Sequence, residues 1–200
     1  ENSGLVFEPG DCLGIFPEND KQLVETLIAE NGWKADELVP INTKGELAPL
    51  YDALLRHYEI TVLTKPLLGK MVPFLDEQRL SELVQAEADE KLRSYIEGRD
   101  LLDLIRDFGP CKASAQEIVS VLRKLPARLY SIASSLKSNP DEAHLTIRTV
   151  RYTAHGRDRF GVCSVQCAER VEPGSTLPVY VHRNPNFKLP ANPDTPIIMV

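Results

Sequence analysis

Arg128-Leu129-Tyr130-Ser131-Ile132-Ala133-Ser134-Ser135 begins two residues after Pro126, where a long helical stretch ends, and it opens the remainder of the chain with a strand. The run Ala127–Ser135 is expected to be extended. Alternate side chains of a strand share a face, so Arg128 and Tyr130 point the same way. A guanidinium beside an aromatic ring suits a ligand that carries both a phosphate and a flat ring. Ser131 adds a hydroxyl and a backbone amide for the edge of such a ring. On these residues alone, an exposed strand with an ordinary arginine and a half-buried tyrosine is the simpler reading.

Outward from this stretch the pattern changes twice. Upstream, residues 20–125 have a helical period. Leu23, Val24, Leu27 and Ile28 form one stripe, with Asn19 or Asp20 as its cap. Leu47, Leu50, Tyr51, Leu54 and Leu55 form a second, Leu80, Leu83 and Val84 a third, and Leu101, Leu102, Leu104 and Ile105 a fourth. Ser114-Ala115-Gln116-Glu117 is a capping box that starts a last helix, with Ile118, Val119, Val121, Leu122 and Leu125 inward and Pro126 as its stop. Further upstream, residues 5–16 read as extended, with Glu8-Pro9-Gly10-Asp11 as a turn before Cys12–Phe16. Downstream, strands are expected at His144–Tyr152, Leu177–His182 and Pro196–Val200, with a short helix over Ser164–Val171.

Strands, a helical block and strands again give an α+β chain. The expected architecture is an antiparallel β-barrel built from residues 1–19 and 126–200, with a helical insertion over 20–125. A helical domain flanked by unrelated β pieces is the alternative, but the leading strands are too few to stand alone.

Composition narrows the function. Apolar residues make up 42% of the 200, enough for a core and against disorder. The formal net charge of −6 argues against general nucleic-acid binding and leaves room for a local basic pocket. No apolar run is long enough for a membrane span, and no secretory signal is expected at the N-terminus. The abrupt ends suggest an excised piece. Cys12, Cys111, Cys163 and Cys167 match no zinc pattern, so no metal is expected, and reduced thiols in the cytoplasm are the default. His57, His144, His155 and His182 are scattered, and no catalytic acid or base is expected.

Two further segments bear on a ligand. Gly161-Val162-Cys163-Ser164 precedes a short helix, where exposed amides attract an anion; a plain helix capped by Ser164 explains it as well. Thr146-Ile147-Arg148, with Tyr152, adds a positive group on the strand after Arg128, although a solvated strand face is the simpler reading in isolation.

Arg128-Leu129-Tyr130-Ser131 resembles the R-x-Y-S flavin motif of the ferredoxin–NADP reductase family, and Gly161-Val162-Cys163-Ser164 resembles its G-x-x-S pyrophosphate loop. Order and spacing agree. Residues 7–20 resemble the lead into the connecting domain of diflavin reductases. Pro126–Ser135 and Asn186–Pro193 are most similar to the sulfite-reducing branch. The resemblance implies that Tyr130 stacks on the isoalloxazine ring of FAD and Arg128 binds the pyrophosphate. It implies that Ser131 bonds near the flavin N5, and that Leu129 accompanies these residues on the motif. Thr146, Ile147 and Arg148 would line the flavin and its phosphates, Tyr152 would lie at the adenine, and Gly161, Val162, Cys163 and Ser164 would offer amides to the pyrophosphate. Thr64 is a weaker match to an insertion residue that reaches FAD. Gln166-Cys167 stands where the family pattern has a bulky apolar pair.

The implied activity is that of an NADPH-dependent flavoprotein reductase. NADPH reduces FAD, FMN in a separate domain takes the electrons singly, and a siroheme hemoprotein partner reduces sulfite. The NADPH and FMN domains would lie outside this chain. A diflavin reductase serving a haem monooxygenase or a nitric oxide synthase, or a non-enzymatic docking domain, stays open. A Rossmann enzyme is disfavoured by the missing G-x-G-x-x-G.

Overall fold

A computed structural model describes residues 4–85 and 89–198. In chain order the elements are β1 (Cys12–Ile15), α1 (Lys21–Glu30), β2 (Leu38–Pro40), β3 (Leu47–Pro49), α2 (Leu50–Arg56), α3 (Lys65–Met71), α4 (Glu77–Gln85), α5 (Asp89–Ile96), α6 (Leu101–Phe108) and α7 (Ala115–Val121). They continue with β4 (Arg128–Ser131), β5 (Arg151–Ala154), β6 (Arg157–Phe160), α8 (Val162–Val165), which runs on into a π-helical segment Gln166–Arg170, and β7 (Val179–His182). The chain is mixed α and β with small antiparallel sheets, and among the described residues no sheet closes into a barrel. The residues fall into two compact units.

The first unit takes in residues up to Phe16, Ala127–Arg148 and the residues from Pro173 onward. Its centre is a three-stranded antiparallel sheet in the order β4–β1–β7. Leu13 pairs with Tyr130 and Val181, and Ile15 pairs with Arg128 and Val179. Paired residues point to the same side of a sheet. Leu13, Ile15, Arg128, Tyr130, Val179 and Val181 therefore share one face, all of them buried or half-buried. The other face carries Cys12, Gly14, Leu129, Ser131, Tyr180 and His182. There the Tyr180 ring lies across Gly14 so closely that a Cβ on the glycine would sit 2.3 Å from it.

Ahead of β1, the carboxylate of Asp11 is wholly buried. It accepts from the Glu8 amide at 2.9 Å and the Asn184 amide at 3.1 Å. It also pairs with Lys188 at 2.5 Å and Arg183 at 3.1 Å, so one side chain ties the Glu8–Asp11 turn to the segment after β7. The Lys188 ammonium, followed by the Glu8 amide, holds the Asp11 carboxyl far below the usual carboxylate range.

The second unit comprises Pro17–Pro126 and Thr149–Glu172. Its core packs α1, α2, α3, α6 and α7 through Leu27, Leu54, Leu68, Leu101, Leu104 and Ile118, none more than 1% exposed. Asp20 caps α1 by accepting from Leu23, and the Ser114–Glu117 capping box starts α7. Asn19 bonds elsewhere: its side-chain amide donates to the carbonyls of Leu54 and Tyr58.

Several elements depart from the sequence expectation. Leu47 is exposed in β3, and α2 begins only at Leu50, because β2 and β3 form a short hairpin inside the helical stretch. Their three-residue length and terminal prolines give almost no strand signal. Helix α7 ends at Val121; Leu122 is already extended (ψ 143°), so Leu122 and Leu125 are buried from irregular chain and Pro126 is not the stop. Of the strand expected at His144–Tyr152, only Arg151 and Tyr152 join a strand, as the start of β5. Leu145 makes one bridge to Ile132, whereas residues 146, 148, 149 and 150 are exposed without a strand partner. Alternation shows which face a side chain would take, and only a neighbouring strand supplies the ladder. Residues 196–198 form no strand, and the rest of the expected Pro196–Val200 strand lies outside the described residues. Among the described residues no helix is long and apolar enough to cross a membrane.

Candidate functional site

In the first unit the predicted residues divide by face. Arg128 and Tyr130 lie together, half-buried, beside Leu13 and Ile15. The side chains of Leu129 and Ser131 point to the opposite face, where the Ser131 hydroxyl lies 3.9 Å from the Cys12 thiol. A hydroxyl contact from Ser131 to a ring stacked on Tyr130 is therefore not what the strand geometry offers. Its backbone is placed differently. Ile132 donates its amide to Asp11 on the β1 side, and Ala133 donates outward to His144. By the alternation of an antiparallel ladder, the amides of Ser131 and Leu129 point off the outer edge of β4, away from β1. The motif thus brings a guanidinium, a phenol ring and two edge amides to one end of the sheet. Thr146 and Arg148 are exposed and Ile147 half-buried, in irregular chain of the same unit.

In the second unit β5 and β6 form a hairpin closed by His155-Gly156, both at positive φ (52° and 71°). Two consecutive residues at positive φ are what a tight two-residue hairpin turn demands, and glycine suits the second. Tyr152 pairs with Arg159 and Ala154 with Arg157, so these four share a face; Tyr152 is 51% exposed. Arg151 and Phe160 are stacked on the other face, where Thr153 donates to Asp158.

The hairpin runs directly into Gly161. The Gly161 amide donates to Val150, and the Ser164 hydroxyl accepts from the Val150 amide at 3.1 Å. A Cβ on Gly161 would fall 2.4 Å from the Ser164 oxygen and 2.9 Å from Val150 Cβ, so glycine is required by packing inside the loop. Helix α8 starts at Val162 with Gly161 as its cap, earlier than the expected start at Ser164. Ser164 is a buried brace in its first turn instead of a cap. The backbone amides of Val162, Cys163 and Ser164 belong to that first turn and lack intrahelical acceptors. Val162 is half-buried and Cys163 almost wholly buried, its sulfur 4.0 Å from Cys167. Burial, then Cys163, pushes the Cys167 thiol up to about 11.

Gln166 has a specific partner: its side-chain oxygen accepts from the Glu18 amide at 2.7 Å. Arg170 donates to the carbonyls of Glu18, Asn19 and Val162. Gln166 and Arg170 thus form a polar latch onto the backbone of Glu18 and Asn19. Thr64 caps α3, accepting from Leu67 at 3.3 Å, which is a sufficient structural role for it.

Sequence reasoning missed an ion cluster in this unit. Asp100 and Asp103 form the capping box of α6. Arg157 donates to both, at 2.9 and 2.7 Å, and Arg159 donates to both, at 2.6 and 2.7 Å. Asp100, Asp103 and Arg159 are buried; Arg157 is one-quarter exposed. Burial works to raise the Asp103 carboxyl, but the Asp100 amide and Arg157 outweigh it and hold the group below its ordinary range. The alternation Arg157–Arg159 was the available signal, yet nothing in sequence pairs it with carboxylates more than fifty positions away.

In the first unit, β4 offers a ring, a guanidinium and edge amides, donors that suit a flavin in kind; in the second, a glycine-led turn of amides follows β6. The model of the FAD binding domain family matches residues 1–165, and the chain belongs to that family. It is 62% identical over 200 residues to the sulfite reductase [NADPH] flavoprotein alpha-component of Bacillus subtilis (strain 168), covering all of this chain and 33% of that protein. It is 39% identical over 199 residues to the proteins of the same name from Klebsiella pneumoniae and Escherichia coli O157:H7, covering 32% of each. The chain therefore spans about a third of the length of the curated relatives it matches.

Proposed function

We propose that the chain binds FAD and is the FAD module of an NADPH-dependent flavoprotein reductase of the sulfite reductase type. The observation that carries this is the R-x-Y-S strand, with Arg128 and Tyr130 on one face and the Leu129 and Ser131 amides at the free edge of β4, in a chain that belongs to the FAD-binding family.

Tyr130 stacks against the isoalloxazine ring and fixes its plane. Arg128 neutralises pyrophosphate charge, which a delocalised guanidinium does through paired hydrogen bonds. The Ser131 amide, with that of Leu129, meets the polar edge of the ring near N5. Arg148 adds positive charge, with Thr146 and Ile147 on the same segment. Tyr152 covers the adenine. The amides of Val162, Cys163 and Ser164, led in by Gly161, take the pyrophosphate. Thr64 contributes through its hydroxyl proton, since its oxygen already caps α3. FAD, when bound, supplies the chemistry of accepting a hydride and releasing electrons one at a time. The chain holds, orients and shields it, and no side chain here is assigned a proton-transfer role.

The same reading makes the three-stranded sheet part of an antiparallel barrel and residues 20–125 an insertion in it. Pairing of β1 with β4 across the helical stretch supports this. FMN and NADPH sites on other parts of the protein, a siroheme hemoprotein as electron acceptor, and a cytoplasmic location with reduced thiols complete the proposal. The shared name of the relatives supports the sulfite branch over haem monooxygenase or nitric oxide synthase service. The test is a fluorescence titration of FAD with the purified chain and with Tyr130→Ser. Stacking quenches flavin emission in the parent and is lost in the variant; no quenching by the parent overturns the reading.

A further inference from the structure

Two four-residue strands without a third are marginal on their own. The β5–β6 hairpin nevertheless carries Tyr152 on one strand and leads straight into Gly161 from the other. Both are assigned above to the adenylate half of FAD, so whatever fixes this hairpin fixes that half of the site. Besides the Arg151–Glu169 ion pair, contacts at its tip and at its centre hold it to the rest of its unit. At the tip, Gly98 lies against Ala154 so closely that a Cβ there would sit 2.8 Å away, and His155 meets the Glu97 carbonyl at 2.8 Å. At the centre is the buried cluster of Asp100, Asp103, Arg157 and Arg159.

Such a cluster is a poor device for stability alone, because desolvating four charges offsets most of their attraction, and an apolar contact of equal size does as well or better. Its distinguishing property is geometry. Each guanidinium reaches one oxygen from each carboxylate, Arg157 through a single terminal nitrogen and Arg159 through a fork of two, so Arg159 is fixed in rotation as well as in place. The carboxylates are fixed in turn, since both cap α6 through backbone amides. Arg159 is the cross-strand partner of Tyr152 and lies two residues before Gly161.

We propose that the Asp100–Asp103–Arg157–Arg159 cluster positions Tyr152 and the Gly161–Ser164 loop for the adenosine pyrophosphate of FAD. This rests on the FAD reading above. None of the four residues touches the cofactor in this account; they are positioning residues acting through the hairpin.

The test uses Arg159→Lys, which keeps the charge but cannot fork to both carboxylates, and Arg157→Met, at the one-quarter-exposed arginine of the cluster, should the first fail to fold. Folding is read from far-UV circular dichroism and from emission of Trp33, the single tryptophan. FAD affinity is read by titration, and the visible spectrum of bound flavin reports the ring half of the site. The expected result is a folded variant that binds FAD about tenfold more weakly with an unaltered ring spectrum. A folded variant with parental affinity, or one whose ring spectrum changes along with affinity, overturns the proposal. Failure of the parent chain itself to bind FAD overturns the underlying reading, which is a different result from failure of the variant alone.

Discussion

Replacing Asp103 by asparagine removes one of the cluster's four charges, a buried one, while leaving the side-chain volume almost unchanged. In the parent, one carboxylate oxygen accepts from Arg157, and the other accepts from Arg159 and the Asp100 amide. Asparagine keeps one acceptor and turns an amide NH2, a donor, toward a guanidinium, so two arginines are left against the single carboxylate of Asp100. Breaking a buried ion pair in this way costs about 3–5 kcal/mol. The lower end applies, about 3 kcal/mol, because Arg157 retains contact with water and can rehydrate in part. With a urea dependence of about 2 kcal/mol per molar, the midpoint falls by about 1.5 M. Trp33 donates to the Ala113 carbonyl within the same unit, so its emission follows the relevant transition. Adding Arg157→Met to Asp103→Asn restores neutrality and recovers at least about 1 kcal/mol, a coupling that a double-mutant cycle isolates. A single-variant loss below about 0.5 kcal/mol, within the range of ordinary surface substitutions, refutes the claim that the cluster is a tightly coupled buried unit.

Arg128→Ala removes a charge-assisted contact to phosphate and should weaken FAD binding by about 2 kcal/mol, roughly thirtyfold in dissociation constant; equal affinities in a calorimetric titration would contradict its role. Gly98→Ala forces a side chain onto a residue at φ 70° and against Ala154, and should cost about 2 kcal/mol in urea unfolding; a neutral result would show that the hairpin tip does not bear on the Gly98 backbone. Asp11 is depressed in the fold, so its contribution to stability is complete above the ordinary carboxylate value of about 3.9 and is lost as pH falls below it. The thermal midpoint of the parent should therefore drop on acidification more steeply than that of Asp11→Asn, and parallel acid slopes would count against the Asp11 junction.

Much of this was legible because it is local. The helical stripes at 23–28 and 101–105, the Asp20 cap and the Ser114 capping box rest on neighbours within one or two turns, and the structure keeps them. The shared face of Arg128 and Tyr130 was legible in the same way, from strand alternation alone, and the structure keeps it. What depends on a distant partner was not. The β2–β3 hairpin needs two three-residue segments to find each other, and His144–Val150 alternates like a strand but meets no neighbour along most of its length. Ser131 is instructive: its hydroxyl faces away from Tyr130, and only the direction of the neighbouring Ile132 and Ala133 amides shows that its backbone is the part turned to the sheet edge. The Asp–Arg cluster and the Gln166–Glu18 latch join residues more than fifty positions apart, a distance over which side-chain chemistry gives no pairing signal.

The most direct test of the central claim is the visible absorption spectrum of the purified chain after incubation with FAD and removal of free flavin, with the bound cofactor released and identified. The expected result is a yellow protein that releases stoichiometric FAD. A folded protein that stays colourless, with Trp33 emission showing its native unit intact, would contradict it.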